Sequence, residues 1–144
     1  MKKSFLTVIL ALVSLSAVFA QDKAHRGHVI GFYNLENLFD TYHDEGKNDY
    51  QFLPDGQNEW TEAKYTKKLH NMASVIKAMK EDNGVWHTVL GVSEIENRHV
   101  LEDLVNQPEI ADANYQIVHY DSPDRRGVDV ALFYKPDKFK PATM

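Results

Sequence analysis

The sequence predicts an α/β fold, a mixed sheet with helices on at least one face. Three observations predict it. Short apolar runs rich in β-branched and aromatic residues alternate with helical patterns, in the order strand, helix, strand, helix, strand, strand. A stripe of large apolar residues between Tyr65 and Met79 repeats at helical spacing. The last two strands follow one another with only a charged loop between them, so at least one pair is antiparallel.

The first element is a strand over His28 to Leu35, where Val29, Ile30, Phe32 and Tyr33 give a largely buried run. Glu36 to Trp60 reads as a long polar loop, and such a loop inside a compact domain is functional or disordered. Thr61 is a candidate N-cap for a helix that buries Tyr65, Leu69, Met72, Ile76 and Met79. Lys64, Lys67, Lys68, Lys77 and Lys80 are placed in water. Asn83-Gly84 ends that helix. Trp86 to Val92 reads as a second buried strand. Asn97 to Asn106 reads as a short helix with Val100, Leu101, Leu104 and Val105 on its apolar side, stopped by Pro108. Tyr115 to Tyr120 and Val128 to Tyr134 are the remaining strands. Lys135-Pro136-Asp137 is a turn, with Phe139 a candidate start of another strand. Strands apolar on both faces need cover on both sides. Two helices cover one face, so a second layer is expected beyond the 144 residues.

The first 20 residues read as a targeting segment. Lys2 and Lys3 form a basic head, Phe5 to Val18 an apolar core, and Val18-Phe19-Ala20 a small-residue cleavage site. The apolar run is short for a span of ~20 residues, so cleavage is expected rather than anchorage. The chain is expected to be exported to the periplasm or beyond the cell, with no membrane span after cleavage. Residues 21–27 form a polar leader and 28–144 the folded part.

The chain carries 16 basic and 21 acidic residues, a net charge of −5, and loss of Lys2 and Lys3 with the leader takes this to −7. An acidic chain does not hold nucleic acid through a generic basic face. A phosphate substrate therefore needs local help, from a metal ion or from Arg125 and Arg126. The absence of cysteine excludes disulfides and thiol chemistry.

Three strand ends carry candidate chemistry. In open α/β sheets ligands gather beyond the carboxyl ends of strands. Asn34 is read as ending the first strand and Glu94 the second. If those strands are neighbours, a carboxylate and a neutral amide oxygen converge, an oxygen-only set that suits Mg2+ or Mn2+. Alternatively, Asn34 is a turn residue and Glu94 complements the dipole of the helix from Asn97. Glu96 is placed at the helix start, as a cap. Glu36 is either a carboxylate supporting the ligands or a solvated loop residue.

The third group is His119, Asp121, Arg125, Arg126 and Asp129, around the loop that enters the last strand. Arginine offers a permanent planar fork for phosphate oxygens. A histidine near a carboxylate acts as acid, base or orienting donor. The alternative is an Arg–Asp network that pins the loop. Asp129, an acid in an apolar strand, must face the site or meet an arginine. His25, His28, His43, His70, His87 and His99 form no spaced metal cluster and read as structural or solvated.

Three segments together resemble the endonuclease/exonuclease/phosphatase superfamily. Phe32-Tyr33-Asn34-Leu35-Glu36-Asn37-Leu38-Phe39-Asp40 resembles its first motif and Val92-Ser93-Glu94-Ile95-Glu96-Asn97 its metal-binding second. Asp121-Ser122-Pro123-Asp124-Arg125-Arg126-Gly127-Val128-Asp129-Val130-Ala131-Leu132 resembles the strand pair that follows. The wording is closest to exported bacterial members. The resemblance implies a four-layer α/β/β/α sandwich, of which this chain supplies one mixed sheet with helices on its outer face.

It also implies Asn34 and Glu94 as ligands of Mg2+ or Mn2+, with His119, Arg126 and Asp129 lining the phosphate site; within that group His119 and Asp129 are the catalytic candidates, and Arg125 and Arg126 the candidates for the substrate phosphate. The implied partner is nucleic acid or another phosphoester. The family's Asn-His, Gly-Asp-x-Asn and Ser-Asp-His segments are not found in the 144 residues, so a hydrolase half with little turnover of its own is expected. The other readings are a phosphatase of lipid or sugar phosphates, and a non-catalytic exported binding module.

Overall fold

The computed structural model describes residues 27–142. The targeting segment, residues 21–26 of the leader, and His25 lie outside the described residues. Six main elements follow in order: β1 (Ile30–Leu38), α1 (Glu62–Asn83), β2 (Val89–Ile95), α2 (Arg98–Val105), β3 (Gln116–His119) and β4 (Asp129–Tyr134). They build one mixed sheet of order β1-β2-β4-β3 with two helices, an α/β fold as expected. β1 and β2 are parallel, joined through α1, and the other two pairs are antiparallel. No helix among the described residues is long and apolar enough to cross a membrane.

β1 starts later than expected and runs three residues further, and β2 is displaced the same way, to Val89–Ile95. The cause is pairing. Each strand is prolonged past an irregular point by its neighbour, which local hydrophobicity does not report. The long loop is packed rather than loose. Phe39 stacks on Phe52 at 4.0 Å, Trp60 meets Phe52 edge-on at 6.3 Å, and the Trp60 indole N–H donates to the Phe39 carbonyl at 2.9 Å. Phe139 starts no strand; it packs edge-on against Tyr134.

α1 keeps its expected limits. Thr61 has the extended backbone of an N-cap but makes no side-chain capping bond, and Gly84 closes the helix at φ 73, a left-handed position that favours glycine. The buried face is Tyr65, Leu69, Ala73 and Ile76, with Met72 and Met79 half-buried at its margins. α2 is capped by Asn97, whose side chain accepts the Val100 N–H at 3.1 Å. Glu96, the expected cap, instead turns inward.

Strand parity decides the two faces. Tyr33, Leu90, Val92, Ala131, Phe133 and Ile117 point to the helices and form the core with α1 and α2. The opposite face carries Ile30, Phe32 and Val130, which are 75%, 68% and 66% exposed. The Phe32 ring packs against Gly91, where a Cβ would stand 2.7 Å from a ring carbon. An apolar face this open is expected to associate. Replacing Ile30 and Val130 together by threonine is expected to reduce self-association and binding of an apolar dye. The unfolding free energy should change by only about 0.5 kcal/mol per site or less. Sedimentation, dye fluorescence and urea unfolding check this. An unchanged dye signal would mean that the open face is not the adhesive one.

The inward turn of Glu96 builds an acidic knot. Glu96 is 4% exposed and accepts the Asp40 N–H at 2.8 Å. The Asn97 amide donates to Asp40 and Asp44, each at 3.3 Å, and the Asp44 N–H donates to Asp49 at 2.8 Å. Burial pushes the Glu96 carboxyl up to about 8, and the charges of Asp40, Asp44 and Asp49 push the same way against the Asp40 N–H. The folded chain thus holds a proton that the unfolded chain releases near its ordinary value of 4.5. That stabilisation is complete below the ordinary value and is lost as pH rises through about 8. In chelator-treated protein the urea midpoint should fall across this window, and Glu96→Gln should flatten the slope. A midpoint that rises with pH equally in both proteins would contradict a buried, protonated Glu96.

Candidate metal centre

Two backbone irregularities bring Asn34 and Glu94 together. β1 pairs with β2 in register up to Asn34 opposite Ser93, then resumes at Leu38 opposite Ile95. The extra residues include Glu36 and Asn37, both left-handed at φ 50 and 59. β2 has its own irregularity against β4, between Ser93 and Ile95, and the residue turned out there is Glu94 at φ 57. Three of the five described non-glycine residues with positive φ therefore sit at one point of the sheet. Such strain persists where surrounding structure fixes it, and it gathers at functional sites.

The outcome is a direct contact. The Asn34 amide N–H donates to a Glu94 carboxylate oxygen at 3.0 Å, and the Asn34 side-chain oxygen accepts the Glu36 N–H at 2.7 Å. Neither residue ends its strand as expected. Both sit at bulges inside a continuing strand, and the bulges aim them. A carbonyl oxygen has two lone pairs, so Asn34 keeps one acceptor site, and Glu94 keeps most of its acceptor capacity. This oxygen donor set fits a small hard cation such as Mg2+ or Mn2+.

Beside Glu94 lies an open cavity of about 320 Å³, lined among others by Ser93, Ser122, Arg126, Asp129 and Val130. Arg126 is exposed and forks onto Asp124 at 3.1 and 3.3 Å, while its own N–H donates to the same carboxylate at 2.7 Å. These bonds hold the Asp124 carboxyl below the usual carboxylate range, and in return raise the Arg126 guanidinium, with Glu94 adding to the rise. Arg125 is not brought to this cavity. Its carbonyl accepts the Asn48 N–H at 2.8 Å, which ties the loop before β4 to the loop after β1.

His119 and Asp129 meet each other rather than an arginine. His119 Nε2 lies 2.8 Å from Asp129 Oδ2, and the other Asp129 oxygen accepts the Ser122 N–H at 2.8 Å. Their side chains are 4% and 2% exposed. In β3–β4 register His119 lies opposite Ala131, on the helix side of the sheet, whereas Asn34 shares the open side with Phe32. With Asp121 they form the one group of three metal-binding side chains among the described residues, ligand atoms within 4.8 Å of one another. A nitrogen and two carboxylates suit a transition metal better than Mg2+. An ion there would have to replace the His119–Asp129 bond.

The described histidines outside this group are accounted for singly. His43 pairs with Asp49 at 2.5 Å, His70 with Glu109 at 2.5 Å and His99 with Asp103 at 3.5 Å. His28 meets the Thr88 hydroxyl at 3.2 Å, and His87 is buried against Gly31, its pKa lowered by that burial.

The model of the endonuclease/exonuclease/phosphatase family matches residues 29–144. This chain belongs to that family. No curated protein and no solved structure matches it. The Asn34 and Glu94 segments and the loop into β4 all lie inside the matched stretch. The family places the chain among nuclease- and phosphatase-type proteins, which act on phosphoesters and generally depend on a divalent metal ion.

One residue at the site was not legible as such. Lys68, expected in water, reaches from α1 to the β1 bulge, donating to the Glu36 carbonyl and to the Asn37 carbonyl at 3.1 Å. Its position one residue before the buried Leu69, at the edge of the apolar stripe, was the available signal.

Proposed function

We propose that this chain carries the ion-binding site of a Mg2+- or Mn2+-dependent phosphoester hydrolase, endonuclease-like in type. The observation that carries the reading is the 3.0 Å contact of Asn34 with Glu94 at paired bulges, beside the cavity that Arg126 lines. Glu94 and Asn34 would hold the ion. Bound there, a divalent ion supplies Lewis-acid polarisation of a phosphoryl oxygen. Arg126 offers two guanidinium donors to a phosphate, once it exchanges Asp124 for the substrate. His119 and Asp129, mutually bonded and buried, anchor Ser122 and so position the loop that presents Arg126. The acidic charge of the chain favours a substrate gripped at one phosphate over a long nucleic-acid track.

A second reading is a non-catalytic exported binding module. The position of His119 favours it, because that side chain is 4% exposed and does not line the cavity beside Glu94, although its partner Asp129 does. Calorimetry with Mn2+, followed by inorganic phosphate on the loaded protein, tests the first reading. Arg126→Ala is expected to leave Mn2+ affinity equal or slightly tighter and to weaken phosphate binding about 10- to 150-fold, the loss of about 1.5–3 kcal/mol for bonds to a charged group. Phosphate binding that ignores both Mn2+ and Arg126 would remove the hydrolase reading. Hydrolysis of a generic phosphodiester with Mn2+ separates the enzyme from the binding module.

A further inference from the structure

We infer that Lys68 is a positioning residue that sets the aim of Asn34 by clamping the left-handed bulge of β1 from the neighbouring helix. Glu36 and Asn37 adopt a conformation that side chains with a Cβ disfavour, and their carbonyls leave the sheet ladder. Freed carbonyls need donors. Lys68 Nζ supplies both, to Glu36 O and Asn37 O. The contacts then run in series. Lys68 holds the Glu36 carbonyl, the Glu36 N–H holds the Asn34 side-chain oxygen, and the Asn34 amide reaches Glu94.

The ammonium is itself fixed. It stands 5.6 Å from the centroid of the Trp60 ring, and Trp60 is tied to the Phe39 carbonyl just past β1. Burial lowers the Lys68 pKa below the ordinary lysine range, while the charges of Glu36 and Glu94 oppose that fall. An ammonium taken partly out of water and given two carbonyls makes a directional clamp rather than a loose surface charge. The clamp stands on the contacts alone; its consequence for ion binding rests on the function proposed above.

The test compares Lys68→Met and Lys68→Arg in the full chain. Both substitutes are good helix formers, so α1 should persist. The first measurement uses no divalent ion: hydrogen exchange at the Glu36 amide, with the Asn34 side-chain amide resonances as reporter. Lys68→Met should speed exchange at Glu36 by at least about tenfold and shift the Asn34 resonances, with little effect in the middle of α1. Lys68→Arg, which keeps donors and charge, should restore most of the protection.

The second measurement is Mn2+ calorimetry. Loss of a partner behind a ligand lowers metal affinity about 10–100-fold, and that weakening is expected for Lys68→Met. Coulomb's law alone predicts the reverse, because removing a cation near Glu94 should tighten Mn2+ binding. Unchanged exchange at Glu36 in Lys68→Met, or Mn2+ binding that is equal or tighter, would overturn the inference. If the parent protein binds no Mn2+, the proposed function falls while the exchange result still decides the clamp. Should Lys68→Met fail to fold, Lys68→Gln carries the same comparison, with a donor too short to span both carbonyls.

Discussion

Replacing Glu94 with alanine is expected to abolish Mn2+ and Mg2+ binding. The affinity loss should exceed the about 10–100-fold that removal of a mere supporting partner produces, because the carboxylate that meets Asn34 among the described residues disappears. Glu94→Gln sharpens the test. It keeps the side-chain length and still accepts the Asn34 N–H, but removes the negative charge. Mg2+ is held chiefly by carboxylate charge, so glutamine should bind nearly as poorly as alanine. Neither change should unfold the protein, since Glu94 is partly exposed and contributes nothing to the core. Isothermal calorimetry on the three proteins, with circular dichroism as a check, gives the answer. Mn2+ affinity that survives in Glu94→Ala would make Glu94 structural, and the nearby His119, Asp121 and Asp129 would become the better candidate ligands.

The second large effect is on stability. Asp129→Ala should cost about 3–5 kcal/mol, the range found when one partner of a buried pair is removed. Total stability for a domain of this kind is about 5–15 kcal/mol, so about a fifth of it or more is at stake. Two donors lose their partner at once. His119 Nε2 and the Ser122 N–H both converge on this carboxylate, and water cannot replace it at an exposure of 2%. The loop before β4 should loosen with it, because Ser122 also fixes that loop through its hydroxyl bond to the Val128 carbonyl at 3.0 Å and by accepting the Asp124 N–H at 3.2 Å. Urea unfolding measures the loss, and Asp129→Asn should recover part of it. A midpoint unchanged in Asp129→Ala would mean that the pair is not what holds the loop, and a direct role in catalysis would regain weight.

Much of the fold was legible because its signals are local. The limits of α1 follow from Thr61, the stripe from Tyr65 to Ile76, and the glycine needed at the left-handed position after Asn83. α2 follows from the packed run Val100-Leu101 and Leu104-Val105, though not its cap, which is Asn97 where Glu96 was expected. The strands were placed but their ends were not. β1 and β2 reach Leu38 and Ile95 because each bulge lets pairing resume, and a bulge depends on the partner strand as much as on its own sequence. Glu96 was misplaced for a related reason. Asn97 competes for the cap with a shorter side chain in better reach of Val100, and the loop from Asp40 to Asp49 folds over what remains.

By itself, then, the sequence determined the class of fold and the limits of α1. Those depend on residue type and on spacing along the chain. The tertiary structure decided which charged residues share a place. It put Asn34 against Glu94 through two bulges, buried His119 with Asp129 on the helix side, left Arg125 away from the cavity, and brought Lys68 onto the β1 bulge. The first of these turns on register between strands distant in sequence, and the others on contacts that the packed fold brings about. A shift of one residue in that register sends a side chain to the other face, and no local pattern encodes it.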